Sequence, residues 1–190
     1  MFSDFIVVFD ACVLYPAPVR DLSIRLAVAE LYRAKWTNKI HDEWIYNLGV
    51  NRPDLNRENL EKMRELINES VPDSLVEGYE SIAETLTLPD PGDRHILAAA
   101  VKAQAQIIVT YNLKDFPSDS LAPFGIEVQH PDDFFLNQCD LRQNVFLSVI
   151  KKIRLSLKRP SKTAREYLDV LRKNSLAKTA EFLEDYVDII

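Results

Sequence analysis

The sequence predicts an α/β fold, a mostly parallel sheet flanked by helices, followed by an all-helical C-terminal extension. Three observations carry this. Two apolar runs, FIVVF at Phe5 to Phe9 and IIVT at Ile107 to Thr110, are continuous rather than alternating, the pattern of strands buried on both faces. Between them apolar residues recur at helical spacing, so strands and helices alternate along the chain. Beyond residue 137 the sequence shows helical spacing alone, which divides the chain into 1–137 and 138–190.

The elements follow in order. The first run ends at Asp10. After Pro16 and Pro18, the positions Leu22, Ile24, Leu26, Val28, Ala29 and Leu31 predict a helix over about residues 19–34. Lys35-Trp36 reads as a very short strand. Thr37 or Asn38 caps a helix with Ile40, Trp44 and Leu48 on one face. Arg52-Pro53 breaks it, because the residue before a proline avoids helical backbone. Leu60, Met63 and Ile67 mark a helix over about 56–69, and residues 73–88 read as a short strand near Leu75-Val76 and a helix from about Tyr79. Pro89-Asp90-Pro91-Gly92 is a break, and Asp93 to Ala103 is a helix of strong propensity. In the extension, Leu141, Val145, Phe146, Val149, Ile150 and Ile153 predict a helix that Pro160 stops. Thr163 and Glu166 form a capping box for a second, and Ser175 caps a third through Leu183 and Val187.

At 190 residues the chain fits one domain plus an appendage, and 47% hydrophobic residues suffice for a core. No run approaches the ~18 apolar residues of a membrane helix. MFSDFIVVFD lacks the basic start and cleavage site of a leader, so a soluble, cytoplasmic protein is expected, with no membrane partner. Cys12 and Cys139 lie too far apart in sequence for a CxxC site and read as small buried hydrophobes. Charge is unevenly placed: residues 1–137 carry a balance of −10 and residues 138–190 one of +4. Between Arg142 and Lys178, 11 bases meet only Glu166 and Asp169, a layout that suits a protein meeting a polyanion or, equally, a solvated helix face.

Asp10 directly follows the first strand, and Asp115 lies five residues beyond Thr110 at the end of the second. In open α/β sheets ligands gather off the carboxyl ends of the strands, so both acids are expected on the functional edge. Asp93 opens a helix, where it serves equally as a cap. Glu43 lies at the margin of the helix face bearing Ile40 and Trp44. Converging carboxylates repel one another unless a cation neutralises them. Oxygen donors without Cys or His favour Mg²⁺ or Mn²⁺ over zinc, and the matching chemistry is phosphodiester hydrolysis.

The stretches IVVFDACVL, IHDEWIYNL, LPDPGDRHILAAAVKA and IIVTYNLKDFP resemble, in order, the successive motifs of PIN domains. They are most similar to the branch of VapC-like toxins with a helical C-terminal extension. The resemblance covers about residues 5–135 and, more loosely, the tail. It implies a compact α/β nuclease, often a homodimer, that cuts RNA with Mg²⁺ or Mn²⁺ and is inhibited by a small antitoxin protein. Residue by residue it assigns Asp10, Glu43 and Asp93 as catalytic metal ligands. Many members carry an acid two residues after the Thr, where this chain has Asn112; Asp115 is taken as the fourth acid, with Thr110 and Asn112 in support.

Arg20, Arg94 and Lys114 are candidates to face RNA phosphates, as are Lys151, Lys152 and Arg154 at the end of the first tail helix, near Lys158 and Arg159. His95 begins a packed helix, which favours a structural hydrogen bond over acid–base catalysis. A haloacid-dehalogenase-type phosphatase would need an acid where Cys12 stands, and a receiver domain an acid pair ahead of Asp10. The remaining alternatives are a housekeeping RNA-processing PIN nuclease and a non-catalytic PIN-scaffold binding module.

Overall fold

Strand register decides where the side chains at the sheet edge go. The computed structural model describes residues 5–190; residues 1–4, the start of the stretch read above for a leader, lie outside the described residues. The sheet has four parallel strands, β1 (Ile6–Phe9), β2 (Arg33–Lys35), β3 (Ile107–Val109) and β4 (Glu127–Gln129), in the order β2-β1-β3-β4. The chain moves outward from β1 to β2 and then returns to the other side of β1 for β3. That reversal makes the gap between β1 and β3 the switch point of the sheet. Val7, Val8 and Phe9 pair with Ile107, Ile108 and Val109, so Asp10 and Thr110 leave the sheet side by side. Val7, Val8 and Phe9 are wholly buried, as a continuous apolar run requires.

The helices before β3 are α1 (Ala11–Leu14), α2 (Ala17–Val28), α3 (Asn38–Asn51), α4 (Arg57–Ser70), α5 (Glu80–Ala83) and α6 (Arg94–Ala103). Thr37 caps α3 by accepting the Ile40 N–H, and Asn56 caps α4 through the Glu58 N–H. The helix expected over 19–34 is shorter. It ends at Val28, and Glu30 takes a left-handed backbone (φ 59°) that turns the chain into β2. Leu31 is buried in that turn, so its apolar spacing reports burial rather than helix. Trp36 bridges Leu75 just outside β2, which accounts for both short strands expected there. No helix among the described residues is long and apolar enough to cross a membrane.

After β3 come α7 (Ser118–Leu121), β4, α8 (Pro131–Leu141), α9 (Gln143–Ser156), α10 (Ala164–Lys173) and α11 (Ala177–Glu184). The expected first tail helix is split. Leu141 ends α8 and is 72% exposed, whereas Phe146, Val149, Ile150 and Ile153 form the buried face of α9. The boundary at 137/138 thus falls inside α8. The Thr163–Glu166 capping box is present, but Ser175 does not cap α11; it is left-handed (φ 60°) in the turn after α10. Phe146, Ile150, Tyr167 and Leu171 share one apolar cluster with Val8 and Phe9, so the extension is packed into the core of the sheet.

The first turn of α11 is satisfied from another helix. Asp132 of α8, 5% exposed, accepts the Lys178 N–H at 2.8 Å, the Thr179 N–H at 2.9 Å and the Thr179 hydroxyl at 2.8 Å. Asp132→Ala orphans three donors in one step. The expected cost is about 2–4 kcal/mol, or a fall of roughly 5–10 °C in the unfolding midpoint. Asp132→Asn, which keeps one acceptor oxygen, should lose about half as much in the same thermal melt.

Candidate active site

Because β1 and β3 end in register, Asp10 and Thr110 face each other at the carboxyl edge of the sheet. The Thr110 hydroxyl donates to Asp10 Oδ2 at 2.6 Å, and the Cys12 thiol donates to the same oxygen at 3.1 Å. Asp10 is only 6% exposed, so these charge-assisted bonds offset part of the cost of burying its carboxylate. Thr110 Oγ1 in turn accepts the Asn112 N–H at 3.0 Å, folding the loop after β3 back over the edge. Thr110 thus bonds both the Asp10 carboxylate and the loop that follows β3. Asn112 contributes its backbone, and its side chain is exposed.

Asp93 stands at the junction of a one-turn 3₁₀ segment (Pro91–Asp93) and α6, and makes no side-chain cap hydrogen bond there. Its alternative role as a helix cap is thus not taken. Burial and the negative charges of Asp10, Asp90 and Asp115 push its carboxyl up to about 6, against a smaller lowering effect of His95. That electrostatic footprint brings Asp10, Asp93 and Asp115 into one neighbourhood and adds Asp90, a residue the sequence analysis assigned only to a break. Asp90 accepts the Gly92 N–H at 2.7 Å, and a Cβ on Gly92 would stand 3.0 Å from the same oxygen, a close fit that a larger residue would crowd.

Glu43, on α3, meets the start of α6. Its Oε1 lies 3.0 Å from Nε2 of the buried His95, which places the carboxylate against the first turn of α6, two residues from Asp93. Nδ1 of His95 is buried with no partner, so the imidazole proton belongs on Nε2, facing Glu43. Asp115 ends a short 3₁₀ turn (Leu113–Asp115) and is half-buried. Among the described residues, no three His, Cys, Asp or Glu side chains stand close enough together to enclose an ion. Asp10, Asp90, Asp93 and Asp115 form an open set whose charges bear on Asp93, rather than a closed cage. Its donors are hard oxygens and its field is negative enough to raise Asp93, a combination that fits a divalent cation.

Several expected roles change. Arg20 does not face solvent: it is 7% exposed, its Nη1 donates to the carbonyls of Leu14 and Tyr15, and its guanidinium lies 4.8 Å from the Trp44 ring centroid. It ties α1 to α2, and burial lowers its pKa to about 10. Lys151 donates to the Ile189 carbonyl, and Arg154 donates to the oxygens of Ile190 and Lys162. Both side chains thus bond to oxygens near residue 190, and Lys151 stays exposed while doing so. Arg94 is half-buried with its Nε enclosed and unpartnered, whereas Lys114 and Lys152 are exposed. Cys139 is a buried core residue, but Cys12 is a hydrogen-bonding neighbour of Asp10, with its thiol pushed up to about 12 by burial and by that carboxylate.

Residues 6–114 match the PIN domain family, and residues 131–185 match the VapC50 C-terminal domain. A protein of Mycobacterium tuberculosis (strain ATCC 25618 / H37Rv) named "Putative ribonuclease VapC50" is 47% identical over 79 residues, 42% of this chain and 47% of that protein. The matched stretch thus spans about half the length of this relative. No solved structure matches the chain.

The raised Asp93 carboxyl has a consequence in the metal-free protein. A carboxyl that holds its proton more tightly when folded costs nothing below its unfolded pKa, near 4, and its penalty is complete above about 6. In chelator, Asp93→Asn should therefore melt higher than wild type at pH 7.5. The gain should shrink through pH 6–4 and vanish at pH 4. An equal difference at both ends of that range would show that Asp93 is not held in a repulsive field.

Proposed function

The chain belongs to the PIN-domain family, and on that premise we propose that it is an endoribonuclease dependent on Mg²⁺ or Mn²⁺, the toxin of a type II toxin–antitoxin pair. The observation that carries the catalytic part is the Asp93 carboxyl, raised by burial and by the charges of Asp10, Asp90 and Asp115 near the switch point of the sheet. Such a site disfavours its own charge until a cation offsets it. The toxin part rests on the resemblance of the motifs and on the similarity to a protein whose name describes a ribonuclease. A small antitoxin protein and a second copy of the chain are the partners this reading carries.

Asp10, Glu43, Asp93 and Asp115 would hold the ion. When bound, it would activate a water molecule and stabilise the leaving oxygen of the phosphodiester. The chain's own residues do the rest. Thr110 and Cys12 secure Oδ2 of Asp10, and no hydrogen bond engages Oδ1 among the described residues. His95 holds the Glu43 carboxylate against α6. Lys114, exposed and next to Asp115 in the chain, would meet a phosphate.

Asp10→Asn should lower RNA cleavage at least ~100-fold while the fold is kept, as when transition-state charge stabilisation is removed. Mg²⁺ or Mn²⁺ should raise the unfolding midpoint of wild type and not of Asp10→Asn. Equal responses of the two proteins would remove Asp10 from the ion's neighbourhood.

RNA must still approach an acidic body. With Lys151 and Arg154 engaged at the chain's last residues, the exposed Lys152, Lys158 and Arg159 take over the proposed phosphate contacts. Each phosphate contact on single strands adds about −0.7 to the slope of log affinity against log salt. Changing these three residues to Gln should flatten the slope by roughly 1–2 units with kcat little altered. An unchanged slope would leave these side chains a solubilising role only.

A further inference from the structure

Two donors converge on one oxygen of Asp10. Thr110 Oγ1 reaches Oδ2 at 2.6 Å and Cys12 Sγ reaches it at 3.1 Å. The sulfur also accepts the Tyr111 N–H at 3.4 Å and lies 3.3 Å from Thr110 Oγ1. Cys12 therefore sits where the chain leaving β1 meets the chain leaving β3. Its proton has two acceptors within reach, a carboxylate and a neutral hydroxyl. Charge decides for the carboxylate, since hydrogen bonds to ionised acceptors are roughly twice as strong.

The need for a second donor follows from the side chain it holds. Rotation of an Asp carboxylate about its last torsion is broad, without sharply separated wells. One bond from Thr110 fixes the place of Oδ2 and leaves the carboxylate plane to pivot about it. A donor arriving from another element removes the pivot and with it the freedom of Oδ1. Cys12 is itself held firmly, because it lies in α1, whose first turn closes on Asp10 through the Val13 and Leu14 N–H groups.

We infer that Cys12 is a positioning residue for Asp10: its thiol, with the Thr110 hydroxyl, locks the carboxylate plane so that Oδ1 stays fixed as the oxygen offered to a cation. This rests on the reading of Asp10 as a metal-binding catalytic acid. Partners that orient metal-binding side chains typically cost 10–100-fold in affinity or activity when removed, and a thiol is a weak donor, so about 10-fold is expected.

The experiment compares Cys12→Ala, which removes the donor, with Cys12→Ser, which keeps one. Three readouts are taken: Mn²⁺ affinity without RNA by electron paramagnetic resonance of the free ion, kcat and KM for RNA, and metal-free crystal structures. Cys12→Ala should bind Mn²⁺ and turn over RNA about 10-fold less well with KM nearly unchanged, and its Asp10 carboxylate should occupy more than one orientation. Cys12→Ser should recover affinity and kcat to within about 3-fold, with a single Asp10 orientation. Wild-type behaviour of Cys12→Ala overturns the inference, and so does a Cys12→Ser as impaired as Cys12→Ala, which would mean that packing alone matters. If wild type neither binds Mn²⁺ nor cleaves RNA, the nuclease reading fails, and the orientation of Asp10 in the three crystal structures alone decides for or against Cys12.

Discussion

The bond from Thr110 to Asp10 closes the gap at which the sheet reverses direction. It exists because β1 and β3 pair in a register that delivers one acid and one hydroxyl to the same level of the edge. A shift of that register by one residue would turn each side chain to the opposite face of the sheet and part the two. The buried apolar pairs that fix the register, Val7 with Ile107 and Val8 with Ile108, therefore help to set the edge. Everything else at the edge is arranged around this closure. Cys12 and Tyr111 knit the two loops together, and Asn112 turns back onto Thr110.

That closure also explains how the chain bears an acid site without an enclosing cage. Asp10 is buried but doubly hydrogen-bonded, and Glu43 leans on a buried imidazole. Asp93 makes no cap bond, and burial together with the charges of Asp10, Asp90 and Asp115 raises its carboxyl to about 6. Carboxyls perturbed in this way cluster at functional sites.

The parts of this arrangement legible in the sequence are those written in long or strongly patterned segments. β1 and β3 are continuous apolar runs, α3, α4 and α6 carry caps or periodic faces, and the four acids sit on motifs whose order alone is informative. The missed parts are short or depend on tertiary placement. α1 has four residues, and β4 is a half-exposed edge strand, Glu127-Val128-Gln129, with no apolar run to betray it. Arg20 reads as a surface cation, but its stem and head are buried by two carbonyls and a tryptophan that lie apart from it in sequence. Lys151 and Arg154 read as a basic patch because charge counts do not reveal that the chain folds back to give them acceptors. Cys12 reads as a small hydrophobe because nothing local announces that Asp10 Oδ2 will lie beside it.

The extension follows from the same logic. Charge sets it apart from the acidic body, yet packing does not: its apolar faces belong to the cluster that buries β1, and Asp132 supplies the N–H acceptors that α11 lacks within itself. Its turn after α10 reaches the acid edge directly, where the Tyr111 hydroxyl donates to the Asn174 carbonyl at 2.9 Å and the Tyr111 ring meets His130 edge-on. Tyr111 is the residue after Thr110, and its N–H ends on the Cys12 sulfur. The loop that carries the edge is thus held on one side by α1 and on the other by the extension. A segment attached only as a basic tail would not need to touch that loop. One that is buried with the core and bonded to the residue next to Thr110 fixes the geometry of the edge while presenting its remaining exposed cations to whatever approaches.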